Sequence, residues 1–324
     1  MVYPALHSPH TIQNSLFAIK SRLAPHTSTP SLDAQVLLAH ITGQSRAWLL
    51  AHPEVPLTSA QNAQLELSLQ QLESGLPLPY LLGEWEFFGL KFKVTPDVLI
   101  PRPETELLVE TALEWLKTHQ QPETTSLNGR LMQTKGAVYA ADIGTGSGCI
   151  AISLAVHCPK LHLLATDLSP AALAIARHNA KTHGVSDRIS FLQADLLNNL
   201  QSPIPNISTR LSTKLQFPIS KLQLLLANLP YIPTATLHTL QVCEREPTLA
   251  LDGGPDGLSL ISRLLAQAAT SLAPGGLMLL EIEATQGDAV LALARHYFPN
   301  ALLHLKADLA GHDRLLSIQT SQVS

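Results

Sequence analysis

The chain has 324 residues, which is enough for about two domains at ~150 residues each. Its hydrophobic fraction of 45% and charged fraction of 14% exclude an intrinsically disordered chain. The formal net charge of −4 argues against a broad non-specific grip on nucleic acid, although it is compatible with a local basic patch.

The cysteine and histidine residues give no sign of a metal site. Cys149, Cys158 and Cys243 show no C-x-x-C spacing, so neither zinc nor a disulfide framework is indicated. The fourteen histidines lack the H-E-x-x-H spacing of a metalloprotease. The start of the chain does not read as a signal peptide, and no apolar run approaches the ~20 residues of a spanning helix. We expect a cytoplasmic protein with no metal and no membrane partner.

Residues 1–80 read as a small helical domain without a catalytic constellation. Three apolar stripes have helical spacing, around residues 12–23, 32–41 and 65–72. Ser31 and Ser59 are the predicted N-caps of the second and third helices. The domain is either a packing appendage or a module that docks a partner.

Residues 81–137 are predicted to hold a hairpin and a linker helix. The apolar alternation over residues 85–94 indicates a β-hairpin. The prolines around Arg102 exclude a helical conformation there, and a helix is expected from about Glu104. This segment either joins domains or holds Arg102 and Glu104 at a cleft. The polar residues 118–136 are predicted to be a loose surface loop.

From residue 138 onwards, strands and helices alternate in the way that is typical of a parallel sheet. An insertion is expected at residues 198–221, because this segment is too long and too polar for an ordinary connection in a compact domain. The prediction for residues 138–324 is a doubly wound, mostly parallel α/β sheet of seven strands. Five strands are parallel and the last two form an antiparallel pair, at residues 138–141, 161–166, 189–193, 222–227, 277–282, 301–307 and 314–319.

A glycine-rich loop follows the first strand of this sheet, where residues 142–150 read DIGTGSGCI. Gly144, Gly146 and Gly148 permit a tight turn and a close approach to a ligand. A dinucleotide fingerprint needs G-x-G-x-x-G, whereas this loop is G-x-G-x-G, the form that resembles S-adenosylmethionine-dependent methyltransferases. Glycine-rich turns also occur for packing reasons.

Polar residues also follow the next strands, at the sheet edge where ligands bind in such folds. Asp167 lies about 20 residues beyond the glycine loop, as expected of a carboxylate that binds ribose hydroxyls. Ser169 already supplies the helix cap, which favours the binding role for Asp167. Asp195 either accepts a hydrogen bond from an adenine amino group or caps a loop.

The segment Asn228-Leu229-Pro230-Tyr231 follows the fourth strand and predicts the chemistry. A planar NH₂ group is a poor nucleophile, because its lone pair is delocalised into the neighbouring carbonyl or ring. The Asn228 side-chain oxygen and the Leu229 carbonyl could grip its two hydrogens. Pro230 would fix the turn, and Tyr231 would form a wall for the flat group. Catalysis would then consist mainly of alignment.

Five segments resemble the protein-(glutamine-N5) methyltransferases that modify peptide chain release factors. They read YLLGEWEFFG (80–89), LIPRPETE (99–106), DIGTGSGCIA (142–151), NLPYIP (228–233) and LALDGGPDGL (249–258). The resemblance implies S-adenosylmethionine as methyl donor and the glutamine of the release factor's Gly-Gly-Gln motif as acceptor, with residues 1–80 helping to dock that protein. By position, it implies cofactor binding by Gly144, Thr145, Gly146, Ser147, Gly148, Asp167, Asp195, Leu196 and Asn228, and glutamine binding by Asn228, Leu229, Pro230 and Tyr231.

Two positions depart from the family pattern. Leu229 replaces the first proline of Asn-Pro-Pro-Tyr, and Leu196 stands where some relatives carry an aromatic residue. Asn-Leu-Pro-Tyr also resembles rRNA adenine dimethyltransferases, so an adenine-N6 nucleic-acid methyltransferase is an alternative. A ribosomal-protein glutamine methyltransferase is another, although residues 102–106 resemble the release-factor branch. A cofactor-binding or docking protein without turnover is a third. No direct nucleic-acid contact is expected.

Overall fold

The computed structural model describes residues 11–119, 123–127, 130–134, 138–198 and 222–322. The chain divides into two units, Met1–Glu84 and Trp85–Ser324, and each is described by itself. Among the described residues, no helix is long and apolar enough to cross a membrane.

The first unit is helical, as its apolar spacing predicts. Its helices are α1 (Ile12–Leu23), α2 (Pro30–Thr42), α3 (Arg46–Ala51), α4 (Ser59–Glu73) and α5 (Leu78–Leu82). They enclose a core in which Ile19, Leu37 and Leu49 are fully buried. Arg22 of α1 makes ion pairs with Glu66 and Glu73 of α4, at 2.8 and 2.7 Å.

Two predicted details of this unit are wrong. Neither Ser31 nor Ser59 is an N-cap, because α2 begins two residues and α4 one residue earlier than expected. Thr29 precedes α2, and Thr58 caps α4 by accepting from the Gln61 backbone N–H. The short helices α3 and α5 were not predicted, because five or six residues are too few to show a helical period.

The second unit begins with the predicted hairpin and helix. Strands β1 (Glu84–Phe87) and β2 (Leu90–Lys93) form a two-stranded sheet. Arg102 is extended as expected, with φ −98° and ψ 143°. Residues Pro103–Thr105 form a 3₁₀ turn, so helix α6 (Glu106–His119) begins two residues later than predicted.

The predicted loose loop at residues 118–136 is wrong wherever the structure describes that segment, since Thr118 and His119 still belong to α6 and two strands follow. Strands β3 (Glu123–Leu127) and β4 (Arg130–Thr134) pair there in antiparallel register. The signal was present in the sequence, since Asn128-Gly129 between two β-compatible runs favours a hairpin. The predicted insertion at 198–221 lies outside the described residues, apart from Asn198.

The predicted seven-stranded sheet is confirmed. The parallel strands are β5 (Tyr139–Ile143), β6 (His162–Asp167), β7 (Ile189–Gln193), β8 (Leu222–Ala227) and β9 (Leu272–Glu281), and the antiparallel pair is β10 (Leu302–Ala307) and β11 (Asp313–Gln319). The spatial order is β10-β11-β9-β8-β5-β6-β7. Because β8 lies beside β5 on the side away from β6, the strand order switches between β5 and β8.

Strand β9 begins five residues earlier than the predicted 277–282. The run Pro274-Gly275-Gly276 lies inside the strand. The register against β8 shifts between Leu222 and Leu224, which accommodates the extra residues.

Helices cover both faces of the sheet. They are α7 (Cys149–His157), α8 (Pro170–Thr182), α9 (Thr234–Leu237), α10 (Ser259–Ala268) and α11 (Gly287–Tyr297). Leu224 and Leu226 of β8 pack in one core with α6, α7 and α8. Leu225 and Ala227 pack in a second core with α10 and α11. Burial on both faces explains why β8 is almost wholly apolar.

Candidate active site

A cavity of about 790 Å³ opens at the carboxyl ends of the parallel strands, beside the switch between β5 and β8. Ten of the predicted site residues line it, namely Gly144, Thr145, Gly146, Ser147, Asp167, Asp195, Leu196, Asn228, Leu229 and Pro230. Gly148 and Tyr231 are not among its lining residues. The structure therefore brings most of the predicted site together, while the role of each residue stays a prediction.

The glycine loop needs its glycines for two different reasons. Gly144, Gly146 and Gly148 all have left-handed φ values, of 73°, 53° and 83°. A Cβ at Gly146 would meet no atom within 4 Å, so that face is free to meet a ligand. A Cβ at Gly148 would lie 2.8 Å from Ile152 Cδ1 and 3.1 Å from Ala176 Cβ. Gly148 thus permits close packing of the loop on the helices.

Asp142, at the end of β5, holds this loop from within the protein. Its buried carboxylate accepts from the Thr145 hydroxyl at 2.6 Å and from the Ala151 backbone N–H at 3.3 Å. Burial raises the pKa of Asp142 to about 7, against the effect of these two hydrogen bonds. The motif contained Asp142, but no role was predicted for it.

Asp167 joins the glycine loop to the next helix. Its Oδ2 accepts from the Gly146 N–H and its Oδ1 from the Ser169 N–H, both at 2.8 Å. Burial raises the pKa of Asp167, whereas these hydrogen bonds oppose the rise. Ser169 is the N-cap of α8, as predicted, and accepts from the Ala172 N–H. The Asp167 carboxylate also lines the cavity, where it can accept from a donor.

Asp195 and Leu196 form the next part of the cavity wall. The Asp195 carboxylate makes an ion pair at 2.5 Å with Arg263 of α10, a partner that the sequence did not reveal. Leu196 has φ 57°, which is rare for a residue with a Cβ. Such a conformation beside a cavity is typical of a binding segment.

The segment 228–231 places Asn228 against the start of α6. Asn228 Nδ2 donates to the hydroxyl of Thr105 at 3.0 Å. Leu229 is buried, and its Cδ2 lies 3.1 Å from where a Cβ of Gly144 would be. The leucine side chain therefore packs against the glycine loop.

Tyr231 is held by a second glycine-rich loop at residues 252–257. Its carbonyl accepts from Gln286 Nε2 at 3.0 Å. A Cβ at Gly253 would lie 2.7 Å from Tyr231 Cα, and one at Gly257 only 2.2 Å from the Tyr231 carbonyl oxygen. Only glycines allow this approach, so the loop fixes the path of the backbone just after Asn228.

Arg102 lines the cavity and is held by an ion pair. Its Nη2 donates to the buried Glu246, whose other oxygen accepts from the Ile100 N–H at 3.1 Å. The structure thus places Arg102 at a cleft, which is one of the two alternatives that the sequence left open for this segment.

Comparisons with known proteins assign the family. The domain described as PrmC N-terminal domain matches residues 16–83, and a methyltransferase domain matches residues 140–228. The release factor glutamine methyltransferase of Moorella thermoacetica is 41% identical over 92% of this chain and 94% of its own length. The chain belongs to the release factor glutamine methyltransferase family. The release factor glutamine methyltransferase of Bordetella pertussis is 38% identical over 88% of this chain and 93% of its own length.

A solved structure of the release factor-specific protein-(glutamine-N5) methyltransferase from Alicyclobacillus acidocaldarius has 27% identity and a TM-score of 0.38, covering 71% of this chain and 99% of that one. Membership in the release factor glutamine methyltransferase family confirms the predicted family and enzyme class, with S-adenosylmethionine as cofactor.

The structure adds residues to the site of this family member that sequence reasoning missed. Thr105 accepts a hydrogen bond from Asn228, and the buried Glu281 at the end of β9 interacts with both side chains. A signal existed for Glu281, because a carboxylate that ends a strand of apolar residues resembles Asp142 at the end of β5. Among the described residues, no group of three or more His, Cys, Asp or Glu side chains could hold a metal ion.

Proposed function

We propose that the protein transfers a methyl group from S-adenosylmethionine to the side-chain amide nitrogen (N5) of the glutamine in the Gly-Gly-Gln motif of peptide chain release factors. The observation that carries this proposal is the position of Asn228. It lines the same cavity as the glycine loop, in a chain of the release factor glutamine methyltransferase family.

The cavity fits the donor. The open face of Gly146 would allow backbone contact, and Asp167 would accept from the ribose hydroxyls. Asp195 and the backbone of Leu196 would bind the adenine edge. The site thus offers acceptors to the polar donor groups of the cofactor. S-adenosylmethionine supplies a reactive methyl group on a positively charged sulfur.

The acceptor is held by Asn228 and Leu229. The Asn228 side-chain oxygen and the Leu229 carbonyl would each accept one hydrogen of the glutamine NH₂ group. This grip fixes the direction of a weak nucleophile and gives the rate advantage of alignment. Pro230 restrains the backbone between the two groups, and Tyr231 stabilises the segment from behind the cavity wall.

The proposal extends to domain roles and location. Residues 1–80 would dock the release factor, 81–137 would link, and 138–324 would carry out methyl transfer. A protein substrate agrees with the net charge of −4, and we propose no direct contact with nucleic acid. A translation factor as substrate favours a cytoplasmic location.

Incubation with radiolabelled S-adenosylmethionine and separate acceptors tests the function. We expect label on an intact release factor and none on a release factor in which alanine replaces the motif glutamine. Label on a ribosomal protein or on RNA adenine, with none on the release factor, would overturn the proposal.

A further inference from the structure

The side-chain amide of Asn228 has two chemically different ends, and only its oxygen can grip an N–H of the acceptor. The proposed function therefore depends on which end of the amide faces the cavity. An Asn side chain can rotate by half a turn at little steric cost, so a neighbouring group must select one orientation.

Two buried side chains surround the end of Asn228 that faces the protein. Ala227 of β8 pairs with Leu280 of β9, so Asn228 and Glu281 each come next at the carboxyl ends of adjacent parallel strands. Thr105 reaches the same point from the 3₁₀ turn before α6. Glu281 is 3% exposed and Thr105 is 2% exposed.

The hydrogen bonds among these groups have a defined direction. The Thr105 oxygen accepts from Asn228 Nδ2 at 3.0 Å, so the nitrogen end of the amide faces Thr105. Glu281 interacts with both side chains, and a charged carboxylate can only accept. Its oxygens therefore favour the Thr105 hydroxyl proton and the Asn228 NH₂ group over the Asn228 oxygen. With the amide reversed, Asn228 Oδ1 would face an acceptor-only carboxylate and a hydroxyl whose proton is already committed.

We propose that Glu281 and Thr105 are positioning residues, which hold the Asn228 amide with its nitrogen inward and its oxygen toward the acceptor glutamine. This inference rests on the function proposed above. It assigns to a buried carboxylate the task of orienting the amide at the end of the neighbouring strand. Oε2 of Glu281 has no hydrogen-bond partner among the described residues, so the carboxylate keeps further capacity to accept.

The charge of Glu281 makes this orientation sensitive to pH. Burial raises the pKa of Glu281 to about 7, while the hydrogen bonds from Thr105 and Asn228 lower it. A protonated carboxyl can donate to Oδ1 and would no longer exclude the reversed amide. Turnover should therefore decline as the pH falls below about 7.

The other charged groups around Glu281 do not produce the decline of turnover below about pH 7. Glu104 raises its pKa and Arg314 lowers it. Burial raises the pKa values of Tyr231 and Cys149 to about 12, so both stay uncharged near pH 7. Asp142 also has a pKa of about 7, but its effect on the glycine loop is common to the wild type and to variants at Glu281.

The test measures release-factor methylation over roughly pH 5.5–9, the practical range of the assay. The proteins are the full-length wild type, Glu281→Gln, Thr105→Val, Thr105→Ser and the exposed control Glu110→Gln. We expect Glu281→Gln and Thr105→Val to lower kcat by up to about 100-fold, with little change in donor Kd or acceptor KM. Glu281→Gln should also lose the decline below about pH 7. Thr105→Ser, which keeps the hydroxyl, and Glu110→Gln should behave like the wild type.

A second measurement does not depend on activity. The side-chain ¹⁵NH₂ signals of Asn228 should titrate with a midpoint near pH 7 in the wild type and not in Glu281→Gln. Signals that stay constant in the wild type would overturn the inference, as would equal kcat for Thr105→Val and Thr105→Ser. A wild type that methylates no glutamine but shows the titration would refute the proposed function and leave the positioning role intact.

Discussion

Replacing Gly148 by alanine tests whether the glycine loop is packed against its helices as the structure describes. Gly148 has φ 83°, and a residue with a Cβ pays about 1–2 kcal/mol for that conformation. The new methyl group would also lie 2.8 Å from Ile152 Cδ1 and 3.1 Å from Ala176 Cβ. Overpacking of this kind costs about 1–3 kcal/mol. We therefore expect Gly148→Ala to lower the free energy of unfolding by about 2–5 kcal/mol.

Gly184→Ala is the matched control. Gly184 has φ 67°, and a Cβ there would meet no atom within 4 Å. Only the conformational cost of about 1–2 kcal/mol applies. Both glycines lie in the unit Trp85–Ser324, so contributions from the helical unit cancel when the two variants are compared.

The measurement is urea-induced unfolding followed by circular dichroism, with calorimetric titration of S-adenosylmethionine on the folded proteins. Gly148→Ala should unfold at a lower urea concentration than Gly184→Ala and should bind the donor more weakly, because the loop must shift. Equal unfolding midpoints at equal m-values would refute the packing argument.

Three further predictions concern Asn228 with Leu229, Asp167 of the cavity wall, and the buried Asp142. Asn228→Ala should lower kcat by about 100-fold or more, while calorimetry still detects donor binding. Leu229→Pro keeps the backbone carbonyl and should stay active. Because Leu229 is buried, this variant should lower the free energy of unfolding by about 1–3 kcal/mol. Asp167→Ala should weaken donor binding by about 1.5–3 kcal/mol, and an unchanged Kd would show a structural role alone. Burial raises the folded-state pKa of Asp142 from 3.8 to about 7, so the folded state holds a proton that the unfolded state has lost. Stability should therefore decline by up to about 4 kcal/mol between about pH 4 and pH 7, and urea unfolding of Asp142→Asn should show a smaller decline.

The sequence predicted those parts of the fold in which local pattern and final environment agree. Strands β7 and β8 have the predicted bounds, and the apolar run of β8 fits a sheet that is covered on both faces. The hairpin of β3 and β4 was missed because polar composition was given more weight than the Asn-Gly signal. The site residues in loops and at strand ends were predictable, because each directly follows a strand that was itself predicted.

The partners of Asn228 could not be predicted in the same way. Thr105 is 123 residues away from Asn228 along the chain, and only the position of α6 beside the sheet brings them together. Glu281 becomes a neighbour only because β9 lies next to β8 in the strand order. Hydrophobic periodicity reports which face of an element is buried, but it does not report which strand lies beside which.

The position of β11 has a consequence for how the enzyme matures. Leu315 of β11 pairs with Glu281, so this carboxylate is not fully enclosed until the closing strand has joined the sheet. A folding intermediate without β11 would expose Glu281 to water, and its carboxylate would titrate near the ordinary value for glutamate. Such an intermediate could bind the donor at the glycine loop before the Asn228 amide acquires its final pH dependence. The catalytic competence of the enzyme therefore depends on β11.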